Sequence, residues 1–227
     1  MSFNKKGSIM AKIFGMIPVA TLACGIATAC AEPLPAPTHD DQLAAAGAPA
    51  QNIVLAGGCF WGVQAVFQHV KGVTKAVSGY AGGDAATAHY AMVSTGMTGH
   101  AESVQVTYDP ATITLGQILR VYFSVAHDPT ELDRQGPDHG TQYRSEIFYE
   151  TPDQQKIAAA YIAQLQQAKI FNAPIVTKLK PLRGFYAAED YHQNYARLHP
   201  DNPYIAINDL PKVAALAKLY PDLYVTP

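Results

Sequence analysis

The sequence predicts an α+β fold: a ferredoxin-like split βαβ sheet covered by helices in a two-layer sandwich, followed by a C-terminal helical and loop extension. Between Asn52 and Tyr149, hydrophobic residues recur in the order strand, helix, strand, strand, helix, strand. Of the 227 residues, 48% are hydrophobic and 15% are charged, which suits one domain with a packed core. The pattern contains neither an internal repeat nor a second domain.

Each predicted element has a pattern of its own. Alternation or short apolar runs predict strands at 53–56, 73–80, 104–108, 143–149 and 176–182. Helical spacing predicts helices at 60–70, 115–123, 152–169 and 213–219. Thr114, Thr151 and Asp209 can cap three of these helices, and Gln154 completes a capping box with Thr151. The residues 127–142 are predicted to form a long polar loop.

The amino terminus has the composition of an export signal. Lysines precede an apolar run over 13–29 that is short and rich in Gly and Ala, and small residues follow. Residues 1–31 are therefore predicted to be a signal peptide or a lipoprotein signal, cleaved after Ala31 or after Ala29. A retained membrane anchor is the alternative.

The cleavage site decides what the exported protein becomes. Cleavage after Ala29 leaves Cys30 at the new amino terminus, as in a bacterial lipoprotein. The product is then either periplasmic or anchored to the cell envelope by a lipid on Cys30. Residues 32–51 are rich in Pro and Ala without a hydrophobic period, which indicates a tether. Residues 52–227 are predicted to form a single domain with a C-terminal tail.

The balance of charge argues against nucleic acid as a partner. Lys and Arg number 16 against 18 Asp and Glu, which gives a net charge of −2, and no stretch gathers a run of like charges. The sequence also lacks a Cys-x-x-Cys pair, a paired-His helix motif and any cluster with zinc spacing. We therefore expect no metal in the site.

Cys59 is the cysteine that the mature domain retains, because Cys24 lies inside the predicted signal and Cys30 is removed or acylated. It lies where a buried strand passes through Gly57 and Gly58 into a helix. The unpaired N–H groups and partial positive charge of a first helical turn favour a thiolate. A pKa lowered by about two units would make the thiolate the major form at neutral pH. The alternative is an inert thiol in the core.

Aromatic and acidic residues accompany Cys59 as candidates. Phe60 and Trp61 are adjacent on a helix and cannot both face the core in one direction, so one of them can line a pocket for a methyl group on sulfur. Both can equally be core residues. Glu102 lies at the edge of a predicted strand, where it is either solvated or a general acid with a raised pKa. Close to Cys59, the two groups would titrate as a pair.

Four further candidates lie outside the helix of Cys59. Tyr80, Asp138 and Tyr143 lie at strand ends or in the polar segment 136–145. Loops carry function more often than cores, although most polar loops are simply solvated. His192 is either a substrate-binding residue or a hydrogen-bonded structural one.

Four motifs in order resemble the peptide methionine sulfoxide reductases of the A type, which act on the S epimer of the sulfoxide. The motifs are Gly58-Cys59-Phe60-Trp61-Gly62, Ser78-Gly79-Tyr80-Ala81-Gly82-Gly83, Gly99-His100-Ala101-Glu102 and Asp138-His139-Gly140-Thr141-Gln142-Tyr143-Arg144-Ser145. The resemblance runs from about Asn52 to Tyr204, nearly all of the predicted domain. It implies a two-layer fold of the ferredoxin-like type, which agrees with the order of elements above.

The resemblance also implies a reaction. Cys59 attacks the sulfoxide sulfur and becomes a sulfenic acid, while Glu102 protonates the leaving oxygen. Tyr80 and Tyr143 polarise that oxygen. The products are methionine and an oxidised Cys59.

The remaining implied roles concern binding and recycling. Phe60 and Trp61 hold the sulfur-bound methyl, and Asp138 orients the substrate or the recycling step. No metal or organic cofactor is implied; oxidised proteins or peptides are the substrates, and an external thiol such as thioredoxin supplies the electrons. Many relatives carry recycling cysteines near the carboxyl terminus, but none follows Cys59 here. We therefore predict a one-cysteine cycle, in which an external thiol attacks the Cys59 sulfenic acid directly.

The residues alone leave two other functions open. One is a Cys-His hydrolase or acyltransferase that pairs Cys59 with His100, His139 or His192. The other is a tethered binding lipoprotein whose cysteine is buried. Turnover of an ester without added thiol would favour the first, and slow alkylation of Cys59 would indicate an inert core thiol.

Overall fold

The structure, a computed structural model, describes residues 1–3 and 32–227. The predicted signal, with Cys24, Cys30 and both cleavage sites, therefore lies outside the described residues apart from its first three positions. Glu32–Pro227 forms one compact unit. None of the helices in the described part combines the length and the hydrophobicity needed to cross a bilayer.

Eight strands form two sheets in this unit. In chain order they are β1 (Gln51–Ala56), β2 (Val73–Ala81), β3 (Ala101–Tyr108), β4 (Arg134–Gln135), β5 (Asp138–His139), β6 (Glu146–Tyr149), β7 (Lys178–Pro181) and β8 (Phe185–Ala187). The large sheet has the order β7-β6-β1-β3-β2-β8, and β4 pairs with β5 in a separate hairpin. Its four central strands, β6-β1-β3-β2, are antiparallel throughout, as in the split βαβ arrangement. This confirms the predicted fold class.

The two faces of β1 show why the strand forms where it does. Ile53 and Leu55 belong to the main core, which the helices complete on one side of the sheet. Val54 and Ala56 point the other way, into a smaller cluster with Phe148 of β6. These four residues of β1 are fully buried. The apolar run is therefore a strand covered on both faces.

Six α-helices accompany the sheet. They are α1 (Phe60–Gln68), α2 (Tyr90–Val93), α3 (Leu115–Val121), α4 (Pro152–Gln167), α5 (Tyr195–Leu198) and α6 (Leu210–Leu219). The Thr114 hydroxyl accepts from the Gln117 N–H and closes a complete capping box at α3. Thr151 caps α4 in the same way, but the side chain of Gln154 reaches Glu150 and Asn52 instead of closing the box. The predicted caps of α3 and α4 are thus present.

The predicted cap of the last helix is wrong. Asp209 directly precedes α6, but its carboxylate makes no capping hydrogen bond. It is fully buried and lies 3.3 Å from the Lys212 ammonium. A π-helical turn, Ile205–Asp209, leads directly into α6, so that the helical backbone starts before the predicted boundary.

The segment before β6 also differs from its prediction. The predicted strand 143–149 is β6 only from Glu146 onward, because Thr141–Tyr143 is a 3-10 turn. The Arg144 guanidinium lies at this break, where it is largely buried and donates to the carbonyls of Gly99 and His100. The polar loop before it contains the β4–β5 hairpin, and β8 at the sheet edge was absent from the predicted strands.

The segment 32–51, predicted to be a tether, lies against the domain along part of its length. Leu34 is buried, and its N–H donates to the Tyr220 hydroxyl over 3.0 Å. The Asp40 carboxylate accepts from the Thr114 hydroxyl at 2.6 Å and from the Gly116 N–H at 2.7 Å. These contacts hold the segment at the start of α3, although its sequence has no hydrophobic period.

Candidate active site

Cys59 lies at the junction of β1 and α1. It immediately precedes the helix that begins at Phe60, and 8% of its surface is exposed. Gly58 has a φ angle of +91°, and a Cβ there would lie 2.5 Å from the Gln135 side chain. This turn therefore requires glycine, for its backbone angle and for the close approach of Gln135.

Strand β3 carries Glu102 to the first turn of α1. The Phe60 N–H donates to Glu102 Oε2 over 3.1 Å, and 3% of Glu102 is exposed. Burial raises the pKa of Glu102 to about 8, and the opposing effects of the Phe60 N–H and of a hydrogen bond with Cys59 are smaller. Glu102 therefore holds its proton at neutral pH.

The start of α1 does not turn Cys59 into a thiolate, contrary to the expectation from the sequence. Burial raises the pKa of the thiol well above its ordinary value, and the charges of Glu102 and Asp209 raise it further. A hydrogen bond from the Trp61 N–H lowers the pKa but does not outweigh burial. Cys59 and Glu102 therefore rest as a neutral thiol beside a neutral acid, and they titrate as a pair.

Three half-buried tyrosines interact electrostatically with Cys59: Tyr90, Tyr143 and Tyr204. Burial raises the pKa of each hydroxyl, and in all three the pKa rises further once Cys59 carries a negative charge. The charge of Glu102 acts on Tyr90 and Tyr143 as well. All three hydroxyls therefore stay protonated and can donate hydrogen bonds at physiological pH.

Tyr80 does not take the position that the resemblance assigns to it. It is fully buried, and its hydroxyl donates to Glu189 Oε2 over 2.8 Å. The other oxygen of Glu189 accepts from the Tyr90 N–H over 2.9 Å and so fixes the start of α2. Tyr80 supports the site through Glu189, and Tyr90 is the tyrosine of this region whose hydroxyl is coupled to the thiol.

Phe60, Trp61 and His192 form one aromatic group next to Cys59. The rings of Phe60 and His192 are 5.0 Å apart, and Trp61 stacks on Tyr195 at 3.9 Å. The Trp61 indole N–H donates to His192 Nδ1 over 3.2 Å. Burial lowers the pKa of His192, so the ring is neutral and carries its proton on Nε2. That buried N–H has no hydrogen-bond partner among the described residues.

Asp138 reaches the site on the β4–β5 hairpin. Gln135 pairs with Asp138 across the hairpin, and the Tyr204 hydroxyl donates to Asp138 Oδ2. A cavity of about 80 Å³ extends from Cys59 between this hairpin and the C-terminal helical segment. The structure thus brings Cys59, Glu102, Tyr143 and Asp138 together as predicted from the resemblance.

Tyr90 and Tyr204 were not found from the sequence, because neither has a pattern that marks it. Tyr90 opens a four-residue helix in the connection between β2 and β3, and Tyr204 precedes the π-helical turn Ile205–Asp209. Segments this short have no measurable hydrophobic period. Only the fold places these two side chains beside the thiol.

The histidines do not form a dyad with Cys59. His100 accepts from the Gly83 N–H and contacts the Asp84 carbonyl, while His139 is exposed on β5. Across residues 32–227 no histidine is hydrogen-bonded to the thiol, which gives the hydrolase alternative no support. The same residues contain no group of three or more His, Cys, Asp or Glu that could hold a metal ion. That the reaction needs no metal stays a prediction.

Comparisons with known proteins agree with the resemblance. A family model described as peptide methionine sulfoxide reductase matches residues 51–222. Peptide methionine sulfoxide reductase MsrA 2 of Mesorhizobium japonicum is 60% identical over 81% of this chain and 93% of its own length. The protein of the same name from Synechocystis is 48% identical over 76% of this chain and 80% of its own length.

Solved structures give the same family. Mxr1 from Saccharomyces cerevisiae in reduced form has a TM-score of 0.62 and 34% identity, over 69% of this chain and 89% of that one. Methionine sulfoxide reductase A of Corynebacterium diphtheriae has a TM-score of 0.57 and 36% identity, over 68% and 77% of the two chains. The chain therefore belongs to the peptide methionine sulfoxide reductase family and is an enzyme of its A type.

Proposed function

We propose that this enzyme reduces methionine S-sulfoxide, free or in proteins, with Cys59 as nucleophile and Glu102 as proton donor. The observation that carries the proposal is the hydrogen bond from the Phe60 N–H to Glu102, which holds a protonated carboxyl next to the thiol. A sulfoxide sulfur becomes a better electrophile when its oxygen accepts a proton. The two neutral groups at Cys59 and Glu102 are suited to supply that proton.

Glu102 is expected to donate its proton to the substrate and to receive the thiol proton in its place. Since Oε2 accepts from Phe60, we place the acidic proton on Oε1, from which it passes to the sulfoxide oxygen. As the Cys59 sulfur attacks the substrate sulfur, the thiol proton returns to the carboxylate that has just formed. The substrate sulfur is reduced and leaves as the thioether of methionine, while Cys59 is oxidised to Cys–S–OH. The S–S bond made in the attack breaks as the hydroxyl leaves the methionine sulfur and bonds to the Cys59 sulfur, so that one S–O bond is exchanged for another.

The oxygen is proposed to be held by Tyr143 and Tyr90. Both hydroxyls stay neutral and are electrostatically coupled to Cys59 and Glu102. Donors fixed beforehand around an oxygen that gains charge lower the barrier of such a step. Tyr80 is left out of this role because its hydroxyl is bonded to Glu189.

The rest of the methionine side chain is proposed to meet the aromatic group. Phe60 and Trp61 offer ring surface for the methyl on sulfur. His192 binds the substrate through Nε2–H, a buried donor without a partner among residues 32–227. Asp138, held by Tyr204, orients the substrate from the hairpin side.

Recycling is proposed to rely on an external thiol, because Cys59 is the last cysteine in the sequence. The thiol sulfur attacks the Cys59 sulfur, an S–S bond forms, the S–O bond breaks, and the oxygen leaves as water. A second thiol then releases Cys59 and is oxidised to a disulfide. A thioredoxin-like dithiol can supply both thiols, and neither a metal nor an organic cofactor takes part.

A single-turnover experiment tests the proposal. The enzyme is mixed with a peptide that contains the resolved S or R sulfoxide, without thiol, and dimedone traps the sulfenic acid. We expect one methionine and one dimedone adduct at Cys59 per enzyme with the S epimer, and neither with Cys59→Ser. Reduction of the R epimer alone, or product without an adduct at Cys59, would contradict the proposal.

Export is a separate proposal, which the lysines and the apolar run of 1–31 support. The protein is then periplasmic or held at the envelope by a lipid on Cys30. Intact-mass measurement of protein recovered from the cell envelope separates the two outcomes, since acylation adds the mass of the lipid. A chain that keeps residues 1–31 would contradict both.

A further inference from the structure

Two of the residues that line the cavity at Cys59, Asn208 and Lys212, have no role in the proposed chemistry. On one side lies the β4–β5 hairpin with Asp138, and on the other lie Tyr204, Asn208 and Lys212. These three residues recur every four positions along the π-helical turn and α6, so they share one helical face. The Asn208 amide donates to the Tyr204 carbonyl over 3.0 Å and stiffens that face.

Lys212 is fixed by Asp209 in an asymmetric ion pair. The ammonium lies 3.3 Å from Asp209 Oδ1, and the side chains are 20% and 0% exposed respectively. Asp209 lies against α1, where a Cβ on Gly62 would be 2.1 Å from Oδ1. The carboxylate is thus enclosed beside the helix, and the ammonium is the member of the pair that borders the cavity and solvent.

Lys212 is the only cation among the residues that line this cavity in the described part of the chain. The opposite charge on the cavity wall is Asp138, whose carboxylate is bonded to Tyr204. Glu102, next to Cys59, holds its proton and adds no charge at neutral pH. An incoming anion therefore meets one ammonium between the enclosed carboxylate of Asp209 and that of Asp138, and removal of the ammonium would leave only the two carboxylates around the path to sulfur.

We propose that Lys212 selects the thiol that resets Cys59, favouring external thiols that carry a negative charge next to their sulfur. The inference rests on the proposed one-cysteine cycle. Lys212 acts after methionine has left: it attracts the thiolate form of the incoming reductant and its neighbouring anionic group to the Cys59 sulfenic acid. The S–S bond then forms as the S–O bond breaks, and the hydroxide that leaves takes up a proton to become water.

The test measures only the reaction of the Cys59 sulfenic acid with an added thiol, for three small thiols that differ in charge. The Cys59 sulfenic acid is first formed by one turnover with the sulfoxide peptide. Thioglycolate (anionic), 2-mercaptoethanol (neutral) or cysteamine (cationic) is then added, and mixed-disulfide formation is followed by mass spectrometry. The rate constant for thioglycolate is divided by that for cysteamine within each variant, so that differences in the sulfoxide step cancel.

The variants are Lys212→Met, Lys212→Arg and Asp209→Asn. We expect the ratio of the thioglycolate to the cysteamine rate constant to fall at least about threefold in Lys212→Met and to remain unchanged in Lys212→Arg. In Asp209→Asn the ratio should rise, because the ammonium loses the negative charge of its partner. The rate with neutral 2-mercaptoethanol should change least. Raising the ionic strength should shrink all the differences.

The outcomes separate this inference from the function it rests on. If no sulfenic acid forms with the sulfoxide peptide, the proposed function fails before Lys212 is tested. If it forms and the ratio is the same in all variants, Lys212 has no part in thiol selection. Should Lys212→Met not fold, an unchanged ratio in Asp209→Asn overturns the inference by itself.

Discussion

The Phe60 N–H donates to Glu102 Oε2 over 3.1 Å, and this contact joins strand β3 to the helix that carries Cys59. It occupies Oε2 and so favours Oε1 as the carboxyl oxygen that carries the proton. Because the donor is a backbone N–H, no substitution at Phe60 other than proline removes it. The acid is thus positioned by the fold itself.

Glu102→Gln is expected to lower kcat by roughly 100- to 10,000-fold, the usual range for loss of a general acid. The amide keeps the hydrogen bond from Phe60 through its oxygen but has no acidic proton to give, so KM should change little. Steady-state kinetics with a methionine sulfoxide peptide and dithiothreitol check this. An unchanged kcat would remove Glu102 from the acid role.

The rate of sulfenic acid formation should depend on pH through Glu102. Burial raises the pKa of this carboxyl to about 8, so the acid is protonated below that pH and loses its proton as the pH rises through it. We therefore expect the single-turnover rate to fall above about pH 8. In Glu102→Gln this alkaline decline should vanish, and its persistence there would assign it to another group.

Tyr90→Phe and Tyr80→Phe form a matched pair that tests which tyrosine serves the reaction. Tyr90→Phe removes a hydroxyl coupled to Cys59, and we expect it to slow sulfenic acid formation by roughly tenfold or more. Tyr80→Phe removes the donor to Glu189 and should mainly lower the free energy of unfolding, by about 1 kcal/mol. Rapid quench and urea unfolding measure the two effects. The reverse pattern would return the role to Tyr80.

Gly62→Ala should destabilise the enzyme, although alanine normally stabilises a helix relative to glycine. The added methyl carbon would lie 2.1 Å from Asp209 Oδ1, much closer than the van der Waals contact distance between a carbon and an oxygen that are not bonded to each other. We expect a loss of about 1–3 kcal/mol in the free energy of unfolding. In the double variant with Asp209→Ala the loss from Gly62→Ala should shrink, and strict additivity of the two would contradict the steric explanation.

One turnover of the mature enzyme should leave no intramolecular disulfide. The unit Glu32–Pro227 contains Cys59 as its single cysteine, so the sulfenic acid has no thiol in the same unit to condense with. Non-reducing peptide mapping after one turnover checks this. A disulfide between Cys59 and Cys30 would show that a retained Cys30 reaches the site.

The central sheet was predictable because its strands show either alternating hydrophobic and polar residues or a continuous apolar run. β1 is an unbroken apolar run and β3 alternates, and both were placed within a few residues of their true bounds. β8 has three residues, and β4 and β5 have two each, which is too short for alternation to be recognised. The predicted tether was misjudged for a similar reason, since Asp40 binds Thr114 and Gly116 through hydrogen bonds that leave no hydrophobic pattern.

The site residues that belong to contiguous sequence motifs were predictable. The protonation state of the thiol was not, because it depends on a balance of opposing energies. Cys59, Glu102 and Tyr143 come from motifs and meet as expected. Whether the thiol is ionised depends on two opposing effects on its pKa: burial raises it, the N–H groups at the start of the helix lower it, and burial has the larger effect here. How deeply a residue is buried cannot be read from its neighbours in the sequence. Tyr80 was chosen because its motif is recognisable, whereas Tyr90 lies in a connection without one.

The burial of Cys59 also bears on how long the enzyme survives in peroxide. Without a second thiol in the unit Glu32–Pro227, the oxidised centre remains Cys–S–OH until a reductant reacts with it, and a further oxidant would convert it irreversibly to sulfinic acid. That over-oxidation favours exposed and ionised sulfur, but here 8% of the residue is exposed and its surroundings disfavour a negative charge on sulfur. The burial that disfavours ionisation of the resting thiol thus also limits the access of oxidants to the sulfenic acid.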